Sequence, residues 1–131
     1  MSTIKVGTLL AADGSTTTQP SIPALDKRMA KAWVNFNGTG TVAIRDSYNV
    51  SSITDDNTGN YRINFSTNMA NTNYVAVANC GGAGGSTGDH SYVPVNTASG
   101  GTTSQSHQLR PSDHTGNRTD VTYMWYIAFS S

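Results

Sequence analysis

The three histidines are the side chains of this sequence that come closest to a chemical site. His90 and His114 each follow an aspartate, Asp89 and Asp113 respectively, and His107 lies between them in the sequence. Imidazole and carboxylate groups together can hold a transition metal. The intervals of 17 and 7 residues between the histidines match no local ligand motif, and no His-X-His pair is present. The sequence therefore predicts neither a metal site nor a cofactor.

Nucleophilic and glycosidic chemistry find equally little support. Ser91 follows His90 directly, so on a strand the two side chains would point to opposite faces, and no Gly-X-Ser-X-Gly elbow exists. Asp55 and Asp56 are adjacent in a segment typical of a hairpin turn. Cys80 ends an apolar stretch, where a cysteine usually packs as a small buried side chain. The sequence predicts a protein that is not an enzyme.

A glycine-rich segment, residues 81–88, is the next candidate for chemistry. A phosphate-binding loop needs a lysine at fixed spacing from its glycines, and this segment contains none. The segment is typical of a surface loop, which can still contact a partner through its backbone. Residues 81–90 and 108–117 are the polar, weakly patterned stretches where we expect binding contacts.

The composition indicates which elements must carry these loops. Of the 131 residues, 58 are Thr, Ser, Gly or Asn, and no Glu is present. Such a sequence is poor in strong helix formers and rich in residues that favour strands and turns. The predicted class is therefore all-β, and the length suits one globular head.

Charge and hydrophobicity exclude several classes of function. Eight basic and eight acidic side chains give a formal net charge of zero, so the basic footprint of a nucleic-acid-binding protein is missing and no nucleic acid is expected as a partner. No apolar run approaches the roughly 20 residues that span a bilayer, so no membrane insertion is expected. The start of the chain lacks the apolar core of a signal peptide, which predicts synthesis in a cytoplasm.

Hydrophobic residues alternate along much of the chain, as they do in half-buried strands. The alternation predicts a hairpin over residues 32–44 with its turn at 37–40, and a second hairpin whose turn is residues 55–60. Residues 74–78 are apolar on both faces, which is typical of a central strand. Shorter strands are expected at residues 92–96 and 104–109.

The last predicted strand, residues 121–129, is apolar on both faces. Tyr123 and Trp125 belong to one face, and Met124 and Tyr126 belong to the other. A strand of this kind must be covered twice, once by its own core and once by a second sheet or a neighbouring subunit. We assign Met124 and Tyr126 to the subunit interface.

The first 30 residues read as an extended arm rather than as part of the core. All three lysines lie within the first 31 residues, and residues 13–18 have the composition of a flexible turn. Residues 21–29 have the proline and the four-residue apolar spacing of a helix of one or two turns. The predicted division is an arm of residues 1–30 and a head of residues 31–131.

One stretch resembles a known kind of protein. Residues 32–55, AWVNFNGTGTVAIRDSYNVSSITD, continued by GNYRINF at residues 59–65, closely resemble a module of tail fibre-like and other virion structural proteins of marine and freshwater (cyanophage-type) phages. The resemblance extends over roughly residues 32–77. The opening MSTIKV, with AADG at residues 11–14, is similar to the start of such proteins, although that match is shorter.

The resemblance implies a small antiparallel β-sandwich, knob-like and usually trimeric, at the end of a fibre or projection on the virion. It implies that the N-terminal arm anchors the chain to other virion proteins, and it carries over no catalytic residue. The arm residues expected to anchor the chain are Ile4, Lys5, Val6, Leu9 and Leu10.

A receptor, with host surface glycan as the candidate, would be met by the loops of the head. The residues predicted for this contact are Gly84, Gly85, Asp89, His90, Tyr92, Asp113 and His114. Only residues 14–30 separate the anchoring start of the arm from the head, so a short tail fibre and a capsid decoration protein both fit. A carbohydrate-active enzyme on the virion surface is the remoter alternative.

Overall fold

Two antiparallel sheets form the body of the chain and pack face to face as a sandwich. The structure is a computed structural model and describes residues 2, 4–16, 22–83, 93, 100–113 and 115–130. One sheet has the strand order β2-β1-β7-β5, and the other has the order β3-β4-β6. The elements are α1 (Pro23–Asp26), β1 (Ala32–Asn37), β2 (Ala43–Tyr48), β3 (Val50–Asn57), β4 (Asn60–Phe65), β5 (Val75–Ala83), β6 (Ser106–Leu109) and β7 (Val121–Phe129). The predicted antiparallel sandwich is confirmed.

Both predicted hairpins form, but β3 extends through Asn57, so Asp55 and Asp56 lie on a strand rather than in the turn predicted at residues 55–60. The turn residues explain both hairpins. In the β1–β2 turn the Asn37 side chain donates to the Thr39 carbonyl at 2.7 Å and accepts from the Thr39 hydroxyl at 2.9 Å. In the β3–β4 turn Gly59 has φ +59°, and a Cβ there would come within 2.5 Å of the Thr119 amide nitrogen. Glycine is required at that position for both reasons.

A corner at Asn49 carries the chain from the four-stranded sheet into the three-stranded sheet. Asn49 has φ +55°, and the structure describes no other non-glycine residue with positive φ. Its side-chain amide donates to the carbonyls of Lys31 and Thr67 at 2.9 and 3.0 Å, and its side-chain oxygen accepts from the Thr67 amide at 2.7 Å. An asparagine tolerates this backbone conformation and joins three chain segments.

The core lies between the two sheets and is built on aromatic contacts. The Phe36 ring of β1 meets the Tyr61 ring of β4 edge to face, with centroids 5.4 Å apart. The Tyr61 hydroxyl lies 2.7 Å from the Gly38 carbonyl and 2.8 Å from Asp120 Oδ1, two acceptors that share its one proton, so it connects β4 with the β1–β2 turn and with the residue before β7. The buried hydrophobic residues are Ala32, Val34, Phe36, Tyr61, Ile63, Phe65, Met69, Tyr74, Leu109, Val121, Met124, Tyr126 and Ala128.

Two further expectations are resolved by the strand order. The strand predicted for residues 74–78 is present as β5, but it lies at an edge of its sheet rather than at the centre. Its outward side chains Val75 and Val77 are 66% and 60% exposed, so burial within the single chain does not explain why this strand is apolar on both faces. The strand predicted at residues 104–109 is present as β6, and the one predicted at 92–96 lies outside the described residues except for Val93.

The described part of the arm contains one turn of helix, α1, within the predicted segment. Among the described residues, no helix has the length and apolar character needed to cross a bilayer.

Candidate functional site

The faces of β7 are the reverse of the sequence assignment. Met124 and Tyr126 are 0% and 3% exposed and lie in the intramolecular core, so their assignment to a subunit interface is wrong. The pairing register gives the reason, because they lie opposite the core residues Phe36 and Val34 of β1. The aromatic side chains that remain at the surface of this strand are Tyr123 and Trp125.

An apolar surface covers much of the outside of β5 and β7 together with Trp33 of β1, and we call it the outer apolar face. The register brings Trp33 of β1, Ile127 of β7 and Val77 of β5 into one row across three strands. Tyr123 and Trp125 are 45% and 42% exposed there. The outer apolar face consists of Trp33, Val75, Val77, Tyr123, Trp125, Ile127 and Phe129.

Arg45 packs against one end of the outer apolar face. The Arg45 guanidinium lies 4.5 Å from the centroid of the Tyr123 ring, and the Tyr123 and Trp125 rings stack with centroids 5.8 Å apart and planes 9° apart. Arg45 also donates to the Thr122 carbonyl at 2.7 Å and to Asn35 Oδ1 at 3.3 Å. The Arg45 guanidinium and the ring stack therefore pack these aromatic side chains against one another while both stay partly exposed.

His107 is a core residue rather than part of a metal or receptor site. It is 3% exposed, its Nδ1 lies 3.0 Å from the Tyr74 hydroxyl, and its ring packs against Tyr126 with centroids 5.1 Å apart. Its Nε2 is buried without a hydrogen-bond partner in the described part of the chain. Burial lowers the pKa of His107 to about 4, so the ring is neutral at physiological pH.

The Asp113 loop is a closed turn of its own. Asp113 Oδ1 accepts hydrogen bonds from the Thr115 hydroxyl at 2.7 Å and from the Thr115 and Asn117 amides at 2.9 Å. The Thr115 hydroxyl, followed by these amides, holds the pKa of the Asp113 carboxyl below its usual range. The remaining predicted receptor residues lie outside the described residues; they are Gly84, Gly85, Asp89, His90, Tyr92 and His114.

No group of three potential metal-ligating side chains comes together among the residues for which a position is described. The paired carboxylates considered for glycoside chemistry do not form a free pair either, because Asp56 Oδ2 accepts from Arg62 at 3.2 Å and from Gln108 at 3.0 Å. An engaged carboxylate of this kind stabilises the surface of the three-stranded sheet.

The outer face of the three-stranded sheet is polar and internally hydrogen-bonded. The Asn64 side-chain amide donates to the hydroxyls of Ser52 and Thr54, both at 2.9 Å. The loop before β6 packs over the same face, where Arg62 donates to the Gly100 carbonyl at 3.3 Å. The sandwich therefore has one polar outer face and one apolar outer face.

The arm residues predicted to anchor the chain are all exposed. Ile4, Val6, Leu9 and Leu10 are 86%, 59%, 60% and 42% exposed, and Lys5 is exposed as well. In this segment the Gly14 amide donates a local hydrogen bond to the Ala11 carbonyl at 2.8 Å.

Sequence reasoning missed three features of the surface and core: the corner at Asn49, the buried position of His107 and the stack that Arg45 completes. Asn49 follows a short alternating stretch and gives a usable turn signal, since asparagine is favoured at positive φ. Nothing in the local pattern separates a buried histidine from an exposed one. The Arg45 contact joins β2 to β7, strands that are 77 positions apart at Arg45 and Thr122, and no local signal reports it.

Comparisons with protein-family models, with characterised proteins and with solved structures find no match for this chain.

Proposed function

We propose that this chain is a non-enzymatic structural protein of a phage virion, a short tail fibre-like projection that assembles as a homotrimer. The arm of residues 1–30 attaches it to other virion proteins, and the head of residues 31–131 faces outwards. The sandwich fold agrees with the head expected from the resemblance of residues 32–77. The loop at Asp113 and the neighbouring predicted loops would contact host surface glycan.

The exposure of the arm is the observation that carries the proposal. Ile4 and Val6 alternate with Lys5 and Gly7, and both apolar side chains are largely exposed. Leu9 is 60% exposed as well. An extended apolar segment of this kind can add a strand to a neighbouring sheet or lie in a groove, and it gains main-chain hydrogen bonds without a core of its own.

Substitution of the arm tests the attachment. We expect the double variant Ile4→Asp/Val6→Asp in the full chain to fold normally and to lose most of its incorporation into particles, because two charges would enter an apolar docking site. Thr8→Asp is the matched control, since Thr8 is an exposed arm residue of the same segment. The readout is the copy number of the protein in purified virions, measured by quantitative mass spectrometry. Unchanged incorporation of the double variant would show that the arm is not the anchor.

A capsid decoration protein is the second candidate, and the short spacing between arm and head favours it. Only residues 14–30 lie between the anchoring start of the arm and the head, so the head cannot project far from its attachment point. The same copy-number measurement separates the two roles. A decoration protein follows the capsid lattice and is present in hundreds of copies, whereas a tail fibre follows the lower symmetry of the tail and is present in tens at most, as rough expectations from particle symmetry.

A further inference from the structure

No element in the described part of the chain covers the outer apolar face, although its residues are of the kind that normally lie in a core. Val75 and Val77 are more than half exposed, and Tyr123 and Trp125 are more than two-fifths exposed. All four belong to two neighbouring strands, β5 and β7. We propose that this face, together with the adjoining edge of β5, is the surface through which copies of this chain bind one another.

The size of the face suits a protein partner. The three strands that carry the face, β1, β7 and β5, at a spacing of about 4.8 Å, and seven residues of β7 at about 3.4 Å each, give a footprint of roughly 14 by 24 Å in plan. That footprint, roughly 340 Å² in plan, is about half of the 600 to 800 Å² of accessible surface that each partner contributes to small and standard specific interfaces, and the adjoining edge of β5 and the relief of the side chains add to it. A single docked peptide or sugar ring would leave most of it in water.

The charge of the face favours a second copy over another partner. β5 and β7 contain no charged side chain, and the charged residues of the sheet near this face are Arg45 and Asp46 on β2, which balance each other. A neutral apolar face is complementary to an identical face or edge, and a chain of zero net charge does not repel its copies. An acidic or basic partner would find no opposite charge here.

The two edges of the four-stranded sheet differ in charge: the β2 edge is charged and the β5 edge is not. The β2 edge contains Arg45 and Asp46, and a register shift interrupts its pairing with β1 between Asn35 and Phe36. The β5 edge, Val75–Ala83, has nine residues without a charge or a proline. Soluble proteins protect an exposed edge with charges, prolines or bulges, and the β5 side chains supply neither a charge nor a proline, which fits a surface that is covered in the assembly.

The outer face of the three-stranded sheet differs from the outer apolar face, because it is polar. Its side chains satisfy one another, as Asn64 does with Ser52 and Thr54. The inference deepens the self-association contained in the proposed function and rests on it. It replaces Met124 and Tyr126, which lie in the core, with Val75, Val77, Tyr123 and Trp125 as the contact residues.

The test is the association state of the full chain, followed over a dilution series by light scattering and sedimentation. Val77→Lys places a charge on the outer apolar face at a position that tolerates it in the monomer, and Ser52→Lys places the same charge at an exposed strand position of the polar face. We expect the wild-type chain to assemble, Val77→Lys to raise the dissociation constant at least about tenfold, and Ser52→Lys to behave like wild type. Trp125→Glu serves as the second variant if Val77→Lys fails to fold by circular dichroism.

Each other outcome overturns a distinct part of the inference. Wild-type association of correctly folded Val77→Lys and Trp125→Glu would show that copies meet elsewhere, while the proposed homotrimer would stand. Loss of association in Ile4→Asp/Val6→Asp alone would assign the contact to the arm instead of the face. A wild-type chain that stays monomeric at every concentration would overturn both this surface and the homotrimer, and the virion copy-number measurement would still test the structural role.

Discussion

Acidification should destabilise the head through His107, whose side chain is 3% exposed. In the described part of the chain the neutral ring makes one side-chain hydrogen bond, between Nδ1 and the Tyr74 hydroxyl at 3.0 Å, and its Nε2 has no hydrogen-bond partner there. Protonation would put a charge and a second N–H group into this apolar site. Burial therefore lowers the pKa of His107 from 6.5 to about 4.

The sign and size of the effect follow from proton linkage. Because the folded pKa lies below the unfolded one, the unfolded chain binds more protons between pH 6.5 and pH 4, and the free energy of unfolding falls as the pH falls through this window. A shift from 6.5 to about 4 makes the protein less stable by about 2 kcal/mol at pH 5 and about 3 kcal/mol at pH 4 than at neutral pH. The stability is fully present above pH 6.5.

Urea unfolding of the wild type and of His107→Gln, at a series of pH values from neutral to 4, measures this contribution. The variant loses packing and is less stable at neutral pH, but we expect its stability to change much less across the window. The other titrating groups, including His90 and His114, are present in both proteins and cancel in the difference. Parallel pH profiles for the two proteins, or a His107 that titrates near 6.5 by NMR in the folded state, would refute the reasoning.

Three substitutions test the turns and the core, each by denaturant unfolding. Asn49→Ala should lower the free energy of unfolding by about 3 kcal/mol, because it removes three side-chain hydrogen bonds and leaves a Cβ at φ +55°. Asn49→Gly removes the same hydrogen bonds without the Cβ, so its loss should be about 1 kcal/mol smaller. Equal losses in the two variants would show that the backbone conformation is unstrained. Gly38→Ala would place a Cβ 2.7 Å from the Tyr61 hydroxyl oxygen and should cost about 2 kcal/mol, whereas an unchanged midpoint would mean that the turn shifts freely. Phe36→Ala should lower the free energy of unfolding by about 3 to 5 kcal/mol, as expected for a fully buried ring. A loss below about 1 kcal/mol would contradict the described core.

The strands were predictable because their signals are local. The period of two over residues 32–44 and 61–65, and turn residues such as Gly59, predict two hairpins without any knowledge of the rest of the chain. The all-β class follows from composition in the same way. These patterns report which residues alternate within one strand.

The orientation of β7 was not predictable, for a physical reason. Both faces of residues 121–129 are apolar, so hydrophobicity cannot tell which one turns inward. The choice is made by pairing with β1, which places Tyr126 opposite Val34 and Trp125 opposite Asn35. The polar Asn35 on the outer side was the available clue, and it becomes informative only once the register is known.

The edge position of β5 was missed for a related reason. Val75 and Val77 are typical of a strand buried on both faces, but in this chain they extend the outer apolar face to the edge of the sheet. Valines at these positions fit either a central strand or an edge strand whose outer face binds a second copy. Sequence periodicity does not distinguish the two cases, since both bury the residues in the final assembly.

The fluorescence of the two tryptophans is the most direct measurement of the central claim that the outer apolar face joins copies of the chain. Trp33 and Trp125 both lie on this face, and the sequence contains no other tryptophan, so emission and acrylamide quenching report on it alone. We predict that dilution through the dissociation range shifts the emission to longer wavelength and raises the quenching constant, in step with the fall in mass by light scattering. Emission and quenching that stay constant while the mass falls would contradict the claim, because the tryptophans would then be equally exposed in the assembly and in the single chain.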